Sequence, residues 1–197
     1  MFLDLFYMKP NMPKTKLIGI TGCTNSGKST LCKHLHNEFP NSICLFQDDF
    51  YHERNEKNLQ YLPEAESFNF DVISAIDMQK FKKELIALRD MQKYEYIFID
   101  GFLIFEDNIL ADMLDKKYFI LLDKEESRRR RESRQYNSKD TPNYFDKCVW
   151  VEYLKYFKLC KETYKDIIFL DGTMPPHDLV NLIKVDFIEA HQTNDII

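Results

Sequence analysis

The chain lacks the cysteine pattern that a disulfide framework or a zinc site requires. Its five cysteines are scattered along the sequence, they form no C-x-x-C pair, and their number is odd. Because structural disulfides belong to oxidising compartments, this pattern favours a reducing one. We therefore expect the protein in the cytoplasm, with the nucleus as a second location.

Long hydrophobic runs and an excess of positive charge are also missing. No apolar run approaches the roughly 18 residues that a membrane span requires. The net charge is −5, from 27 Lys and Arg residues against 32 Asp and Glu residues. This balance argues against a general binder of nucleic acid or of membrane surfaces, so we expect small-molecule partners.

No internal repeat or low-complexity linker divides the 197 residues. One domain of this length can bury a full core. Residues 1–15 have hydrophobic content, but they contain no arginine and no basic region at their start, which argues against a targeting signal. We therefore expect an extension at 1–15, followed by a single domain at 16–197.

Apolar strands alternate with amphipathic helices from residue 16 onward. The predicted strands are 16–21, 42–47, 94–100, 118–123 and 167–171. The predicted helices are 28–39, 72–91, 145–165 and 176–190, with a polar loop at 51–69. This alternation predicts an α/β fold whose parallel sheet is covered by helices on both faces. Ligands of such sheets bind at the carboxyl ends of the strands.

The stretch Gly22-Cys-Thr-Asn-Ser-Gly-Lys-Ser-Thr30 fills every fixed position of the G-x-x-x-x-G-K-[S/T] phosphate loop. Its glycines allow consecutive N–H groups to point at phosphate oxygens. Lys28 supplies a charge for the terminal phosphates, and the Ser29 hydroxyl can bind Mg²⁺. The alternative is a glycine turn with a chance Lys-Ser, but a strand before it and a helix after it favour the phosphate loop. The predicted nucleotide-binding residues here are Gly22, Thr24, Asn25, Ser26, Gly27, Lys28, Ser29 and Thr30.

Acidic residues follow two of the predicted strands. Asp100 ends an apolar run, a pattern that puts a carboxylate near the magnesium of a phosphate loop. If its strand neighbours the first one, the carboxylate lies about 5 Å across from the loop. Asp48 and Asp49 end the second strand, where Asp48 would face and orient an acceptor hydroxyl. The alternative for all three is capping of the next turn or helix.

The run Arg128-Arg-Arg-Arg131, with Arg134 after it, is the densest charge cluster of the chain. Arg130 and Arg134 share a helix face, and Arg131 lies on an adjacent one. The functional interpretation is a mobile lid at about 124–142 that closes over the triphosphate, because planar guanidinium groups suit phosphate oxygens. The alternative is a solvated helix face or a targeting patch.

Five segments together resemble the nicotinamide riboside kinase family. They are the phosphate loop, Gln47-Asp-Asp-Phe-Tyr51, Asp100-Gly-Phe-Leu-Ile-Phe105, the arginine segment 128–134, and Tyr144-Phe-Asp146 with Trp150. Phe70-Asp-Val72 and Asp171-Gly-Thr173 add to the likeness, which covers residues 16–190. The phosphate loop is shared by a superfamily, whereas this combination is far more specific.

The resemblance implies a three-layer P-loop kinase fold with a five-stranded parallel sheet in the order 2-3-1-4-5, flanked by helices, and a helical lid. It implies transfer of the ATP γ-phosphate to the 5′-hydroxyl of nicotinamide riboside, with Mg²⁺, in NAD salvage. Nicotinic acid riboside would be a second acceptor. A monomer or weak homodimer is expected.

Residue by residue, the resemblance matches Asp48 to the family's catalytic base, which lies on the acceptor side. Lys28 would be the second catalytic group. Asp71 and Arg131 fall on groups that hold the ribose hydroxyls, and Phe70 and Tyr136 on two aromatic residues that sandwich the pyridine ring. The remaining implied contacts are Arg130, Arg134, Asp171 and Thr173 with ATP, Asp49 and Asp100 with the substrate, and Ser29 and Asp100 with the metal. Asp100 departs from the glutamate that is frequent in the family, and Phe70 from a tyrosine.

Two alternatives stay open at this point. A uridine–cytidine kinase has the same fold and reaction with a pyrimidine acceptor. A regulatory nucleotide-binding protein needs Lys28 and Ser29, but it has no evident need for Asp48, Asp71 or an arginine lid.

Overall fold

The computed structural model describes residues 14–52, 59–134 and 140–194, and for 188–194 it describes the backbone. Most of the predicted extension and part of the predicted lid, residues 1–13 and 135–139, lie outside this part. The helices are α1 (Lys28–Glu38), α2 (Met78–Asp90), α3 (Asn108–Met113), α4 (Lys124–Ser133), α5 (Trp150–Thr163) and α6 (Pro176–Asn194). The strands are β1 (Lys16–Gly22), β2 (Ser42–Phe46), β3 (Tyr61–Leu62), β4 (Ser67–Phe68), β5 (Tyr96–Asp100), β6 (Lys116–Leu121) and β7 (Ile167–Asp171).

Five of these strands form one parallel sheet in the order β2-β5-β1-β6-β7. The short strands β3 and β4 form a separate antiparallel pair. The predicted order 2-3-1-4-5 counted only the strands of the large sheet, so the numbers differ while the spatial arrangement is the same. The predicted parallel α/β sheet flanked by helices is therefore confirmed.

Successive residues of the central strands are buried on opposite faces of the sheet. Leu17 and Ile97 belong to one apolar cluster, which includes residues of α2, α3 and α5. Ile18 and Phe98 belong to a second cluster, which includes residues of α1 and α6. Continuous apolar runs such as Lys16–Gly22 are what a strand buried on both faces requires. The result is three layers, with helices on each side of the sheet.

The register of the strands brings their carboxyl ends together at one edge. Asp100 at the end of β5 pairs with Ile20 of β1 on one side and with Phe46 of β2 on the other. The segments that follow β1, β2 and β5 therefore start side by side. These segments are the phosphate loop, a 3₁₀ turn at Gln47–Phe50, and the loop after Asp100.

Several predicted boundaries were wrong by a few residues. The helix expected at 72–91 begins at Met78, because the Asp77 carboxylate accepts a hydrogen bond from the Lys80 amide (2.9 Å) and so caps it. The strand expected at 118–123 is Lys116–Leu121. Two charged residues stand at its start because Lys116 and Lys117 form ion pairs with Asp186 and Asp166.

Other differences concern the segments between the predicted elements. The described part of the loop expected at 51–69 contains the β3–β4 pair. The helix expected at 145–165 opens with one π-helical turn, Phe145–Val149, and continues as α5. In the described part of the chain, no helix is long and apolar enough to cross a membrane.

Candidate active site

The loop between β1 and α1 has positive φ angles at three residues: 140° at Gly22, 57° at Asn25 and 98° at Gly27. A Cβ atom at Gly22 would lie 2.3 Å from the backbone oxygen of Ile120 in β6, so a larger residue cannot fit. Gly27 directly precedes α1. The free N–H groups at the start of α1 therefore meet the loop, an arrangement that suits an anion.

The Lys28 ammonium and the Ser29 hydroxyl lie at the start of α1. Lys28 Nζ donates hydrogen bonds to the backbone oxygens of Gly22 (3.1 Å) and Cys23 (2.8 Å). Ser29 Oγ donates a hydrogen bond to Asp100 Oδ2 at the end of β5. The adjacent strands β1 and β5 thus bring together a hydroxyl and a carboxylate that are 71 residues apart in the sequence.

The Ser29–Asp100 pair fits a magnesium ion. Both groups are hard oxygen donors, which Mg²⁺ prefers, and Mg²⁺ commonly takes only one or two protein ligands beside phosphates and water. Asp100 is only 5% exposed. Burial raises the pKa of its carboxyl group, while the Lys28 ammonium and the Ser29 hydroxyl act in the opposite direction. The direct contact with Ser29 shows that an aspartate at this position is long enough to reach the loop.

Helix α4 lies against the phosphate loop. Ser127 Oγ donates to the backbone oxygen of Thr24 (2.9 Å), and Arg131 Nη1 donates to Thr24 Oγ1 (2.8 Å). Beyond the end of α4, Arg134 Nη1 contacts Asn25 Oδ1 at 3.5 Å. The helix that was predicted as a lid therefore touches the backbone and the side chain of Thr24, and the residue after it, Arg134, touches the side chain of Asn25.

Arg131 is held in a fixed orientation between two groups. Its Nε and Nη2 atoms donate to the two carboxylate oxygens of Asp140, at 2.6 and 3.0 Å. With Nη1 on Thr24, the guanidinium plane connects α4, the phosphate loop and the segment before the π turn. A planar fork with this bidentate partner is strongly oriented.

Arg130, Asp171 and Thr173 gather beside the phosphate loop. Arg130 Nη1 donates to the backbone oxygen of Gly172 (3.0 Å), and its Nε donates to Glu126 (2.6 Å). Asp171 Oδ1 accepts hydrogen bonds from the Thr173 amide (2.8 Å) and hydroxyl (2.7 Å). The loop after β7 is close to the phosphate loop, because a Cβ at Gly172 would lie 3.3 Å from the backbone oxygen of Ser26.

Phe70 and Asp71 lie on another wall of the site. Tyr144 Oη donates to Asp71 Oδ2 (2.9 Å), and the Phe70 amide donates to Tyr144 Oη (3.1 Å). Burial raises the pKa of the Asp71 carboxyl, whereas the charge of Arg131 and the Tyr144 hydroxyl lower it. Near them, the rings of Tyr51 and Phe102 stack with their centroids 6.1 Å apart.

Most of these groups line one cavity of about 800 Å³. The predicted site residues that line it are Gly22, Thr24, Asn25, Gly27, Lys28, Ser29, Thr30, Asp48, Phe70, Asp71, Asp100, Arg131 and Arg134. The predicted residues that are described but do not line it are Ser26, Asp49, Arg130, Asp171 and Thr173. Tyr136 lies outside the described residues.

Four of the five predicted residues outside the cavity wall are exposed or lack a hydrogen-bond partner for the side chain. Asp171 and Thr173 are exposed at the end of β7 and just after it. Asp49 is exposed on the 3₁₀ turn after β2, beside the exposed Asp48. Ser26 is buried, and its Oγ has no hydrogen-bond partner among the described residues.

Sequence reasoning assigned no role to several residues of the cavity wall, among them Tyr51, Phe102, Asp140 and Tyr144. The first two could have been found, because they follow the strand ends at which ligands bind. Asp140 and Tyr144 follow no strand. Tyr144 reaches the site through contacts with Phe70 and Asp71, more than 70 residues away in the sequence.

Comparison of the whole chain with known proteins shows which family it belongs to. A model of the AAA domain matches residues 18–150. The chain is 35% identical to human nicotinamide riboside kinase 1, over 89% of this chain and 94% of the relative. It is 30% identical to mouse nicotinamide riboside kinase 2, over 86% and 94%.

The chain belongs to the nicotinamide riboside kinase family. A solved structure shares its fold at lower identity: thymidylate kinase from Candida albicans superposes with a TM-score of 0.60 and 15% identity, covering 91% of this chain and 93% of that one. The family membership and the shared fold agree with the phosphate loop and the parallel sheet described above.

Proposed function

We propose that this protein is an ATP-dependent kinase that phosphorylates the 5′-hydroxyl of nicotinamide riboside, and that nicotinic acid riboside is a second acceptor. One observation carries the proposal. A single cavity is lined both by the phosphate loop, with Lys28 and Ser29, and by Asp48, Phe70 and Asp71, which the family resemblance assigns to the acceptor. The names of the relatives support the same activity. The product would be nicotinamide mononucleotide, made in NAD salvage.

Asp48 and Lys28 divide the catalytic work in this proposal. Asp48 orients the acceptor hydroxyl and takes up its proton as the new oxygen–phosphorus bond forms and the bond to the ADP oxygen breaks. A loose transition state requires little early deprotonation, so positioning is the larger part of its role. Lys28 and the start of α1 stabilise the negative charge of the transferred phosphoryl group.

Ser29 and Asp100 would hold Mg²⁺, supported by their mutual contact and by their oxygen donors. The ion would neutralise charge on the nucleotide phosphates. Arg130, Arg134 and the loop at Asp171 and Thr173 are assigned to ATP because they gather beside the phosphate loop. Asp49 keeps its assignment to the substrate from the resemblance alone.

The acceptor base would stack on Phe70, with Tyr136 on its other face. The pyridinium ring of nicotinamide riboside carries a fixed positive charge, whereas uracil is neutral. An aromatic face attracts such a charge by roughly 0.5–2 kcal/mol, which corresponds to about a 2- to 30-fold preference from one contact. Asp71 and Arg131 would hold the ribose hydroxyls, which both nucleosides share.

The deciding experiment measures phosphorylation of nicotinamide riboside, nicotinic acid riboside and uridine under the same conditions. We expect turnover of both pyridine ribosides, with kcat/KM for nicotinamide riboside above that for uridine. The Lys28→Ala variant is the control and should lose turnover by orders of magnitude while remaining folded. Faster turnover of uridine would favour a uridine–cytidine kinase, and turnover of neither acceptor would favour a regulatory nucleotide-binding protein.

The setting of the enzyme is part of the proposal. All five cysteines are free thiols, which supports a reducing compartment such as the cytoplasm. We also propose one domain over residues 16–197 that acts as a monomer or weak homodimer. Light scattering over a range of protein concentrations tests the oligomeric state.

A further inference from the structure

Phe70 and Asp71, which the proposed function assigns to the acceptor, form the acceptor wall of the cavity. The hydroxyl group of Tyr144 contacts both of these residues. It accepts a hydrogen bond from the Phe70 amide (3.1 Å) and donates one to Asp71 Oδ2 (2.9 Å). A phenol has one proton to donate and lone pairs to accept, so one hydroxyl can make both bonds at once. Burial raises the pKa of Tyr144, so the phenol keeps the proton that it donates.

The ring of Tyr144 is fixed by contacts that do not involve Asp71. The residue is 5% exposed and directly precedes the π turn Phe145–Val149. It belongs to a small apolar cluster whose other buried members are Leu62, Ala65, Phe145, Cys148 and Val149. The packing of this cluster therefore sets the position of the hydroxyl, and the hydroxyl in turn holds Phe70 and Asp71 through its hydrogen bonds.

Asn69 fixes the same segment from the other side. Its Oδ1 accepts hydrogen bonds from the Asp71 amide (3.0 Å) and from Cys148 Sγ (3.1 Å), and its Nδ2 donates to Glu152 (3.0 Å). These bonds hold the backbone of Asp71, but none of them reaches its carboxylate. Tyr144 is the residue whose hydroxyl bonds to the carboxylate and to the preceding amide together.

We propose that Tyr144 is a positioning residue for the acceptor: its hydroxyl orients the Asp71 carboxylate toward the ribose hydroxyls and places Phe70 for contact with the base. This inference rests on the proposed function, which assigns Phe70 and Asp71 to the riboside. Tyr144 and, at 4.0 Å, Cys148 Sγ both contact Asp71 Oδ2, which leaves Oδ1 for the ribose. Because the hydroxyl bonds to Phe70 and Asp71 and to no residue of the phosphate loop among the described residues, its loss should weaken riboside binding and leave nucleotide binding intact.

The test compares Tyr144→Phe with wild type, and uses Tyr118→Phe as a matched control. Tyr118 is also buried, and its hydroxyl donates to the carboxylate of Asp186 (2.5 Å), but it does not line the cavity. We expect Tyr144→Phe to raise KM for nicotinamide riboside about 10- to 150-fold, the scale of one hydrogen bond to a charged group. KM for ATP and kcat should stay within about 2-fold of wild type. Tyr118→Phe should leave all three constants unchanged.

Amide exchange of the wild-type protein provides a second measurement that needs no variant. We expect the Phe70 amide to exchange slowly without riboside, because Tyr144 accepts its hydrogen bond. Fast exchange at Phe70 would overturn the inference, even if Tyr144→Phe proved too unstable to assay.

The outcomes separate this inference from the proposed function. A wild type that phosphorylates nicotinamide riboside, together with a Tyr144→Phe variant of unchanged KM, overturns the positioning role alone. A parallel rise in KM for ATP would also overturn it, because a general structural defect would then explain the loss. A wild type that phosphorylates no riboside would contradict the proposed function and this inference with it.

Discussion

Asp71 and Asp100 are two carboxylates whose pKa burial raises, and each faces a cation that opposes the shift. The cation is Arg131 for Asp71 and Lys28 for Asp100. Burial disfavours the charged form, whereas a nearby positive charge favours it. Such opposed effects are common where a carboxylate binds a ligand, because the charge is kept available in a site that excludes water.

Activity toward the riboside should fall on acidification as Asp71 takes up a proton. The ribose hydroxyls donate to the carboxylate, so the protonated form loses an acceptor. Since the pKa of Asp71 lies above the ordinary aspartate value, the fall should begin at a higher pH than for an exposed aspartate. Titratable or charged neighbours on all sides contribute: Arg131, Asp140, Tyr144, Cys148 and Glu152.

The measurement is the pH profile of kcat/KM for nicotinamide riboside at saturating ATP and magnesium, for wild type and Asp71→Asn. The asparagine cannot titrate, so the variant should be less active at neutral pH and should lack this part of the acid limb. If the pH profiles of wild type and Asp71→Asn had the same shape, another group, such as Asp100, would be responsible for the loss of activity at low pH.

Asp48 should matter for turnover and not for nucleotide binding. Its exposed carboxylate lies at the carboxyl end of β2 and lines the cavity. Asp48→Asn keeps the shape and removes the proton acceptor, so we expect kcat to fall by about 100-fold or more. The Kd for an ATP analogue should change little. Asp90→Asn, at an exposed position of α2 outside the cavity wall, is the control and should keep the activity. An equal loss of nucleotide affinity in Asp48→Asn would instead indicate a metal-binding or structural role.

At the scale of elements, α4 is a highly charged helix that is held to the phosphate loop by few contacts. Ser127 is its one buried residue. Glu126 binds Arg129 and Arg130 along the helix surface, and ion pairs at a protein surface contribute little to stability. The hydrogen bond from Ser127 to the backbone oxygen of Thr24 is therefore a principal tie between lid and loop.

Ser127→Ala should loosen α4 from the phosphate loop without weakening the helix, since alanine is the better helix former. Loss of one neutral hydrogen bond should raise KM for ATP by about 2- to 12-fold. The matched control is Ser133→Ala on the same helix, where the exposed hydroxyl donates to the backbone oxygen of Arg130. Steady-state kinetics with varied ATP check the prediction. Equal KM values for the two variants would mean that α4 does not position the loop.

Local sequence was enough to predict the elements that begin and end within one segment. Strand β1, the phosphate loop and α1 are consecutive, so their order could be read directly. Lys116 and Lys117 were excluded from β6 because their partners, Asp186 and Asp166, lie far along the chain. The hydroxyl of Tyr144 and the amide of Asn69 escaped prediction for the same reason. Contacts across 73 to 83 residues depend on packing that no local pattern reveals.

At the scale of the whole molecule, the cavity is built from segments that lie far apart in the sequence. Its wall includes the loop after β1, the turn after β2, the loop after β5, α4 and α5. Ligands bound there would connect these segments in the folded state only. Such binding must shift the unfolding equilibrium.

Thermal unfolding should therefore respond to each ligand separately. A ligand at 100 times its Kd adds about 2.7 kcal/mol to the free energy of unfolding. For a protein of this size, we expect a rise in Tm of roughly 5–11 °C. A non-hydrolysable ATP analogue with magnesium and nicotinamide riboside should each raise Tm, and the two shifts should add when both are present.

Removal of magnesium then tests the pair Ser29 and Asp100. An excess of EDTA should shrink the shift caused by the ATP analogue, because the nucleotide phosphates lose a cation that the hydroxyl and the carboxylate would hold. The shift caused by nicotinamide riboside should largely persist, because its proposed contacts with Phe70, Asp71 and Arg131 need no metal ion, although the resemblance also places Asp100 at the substrate. Asp100→Asn should make the analogue's shift nearly insensitive to EDTA. An analogue shift in the wild type that is equally large with and without EDTA would contradict a metal role for Ser29 and Asp100, and would leave Asp100 as a capping residue of the loop after β5.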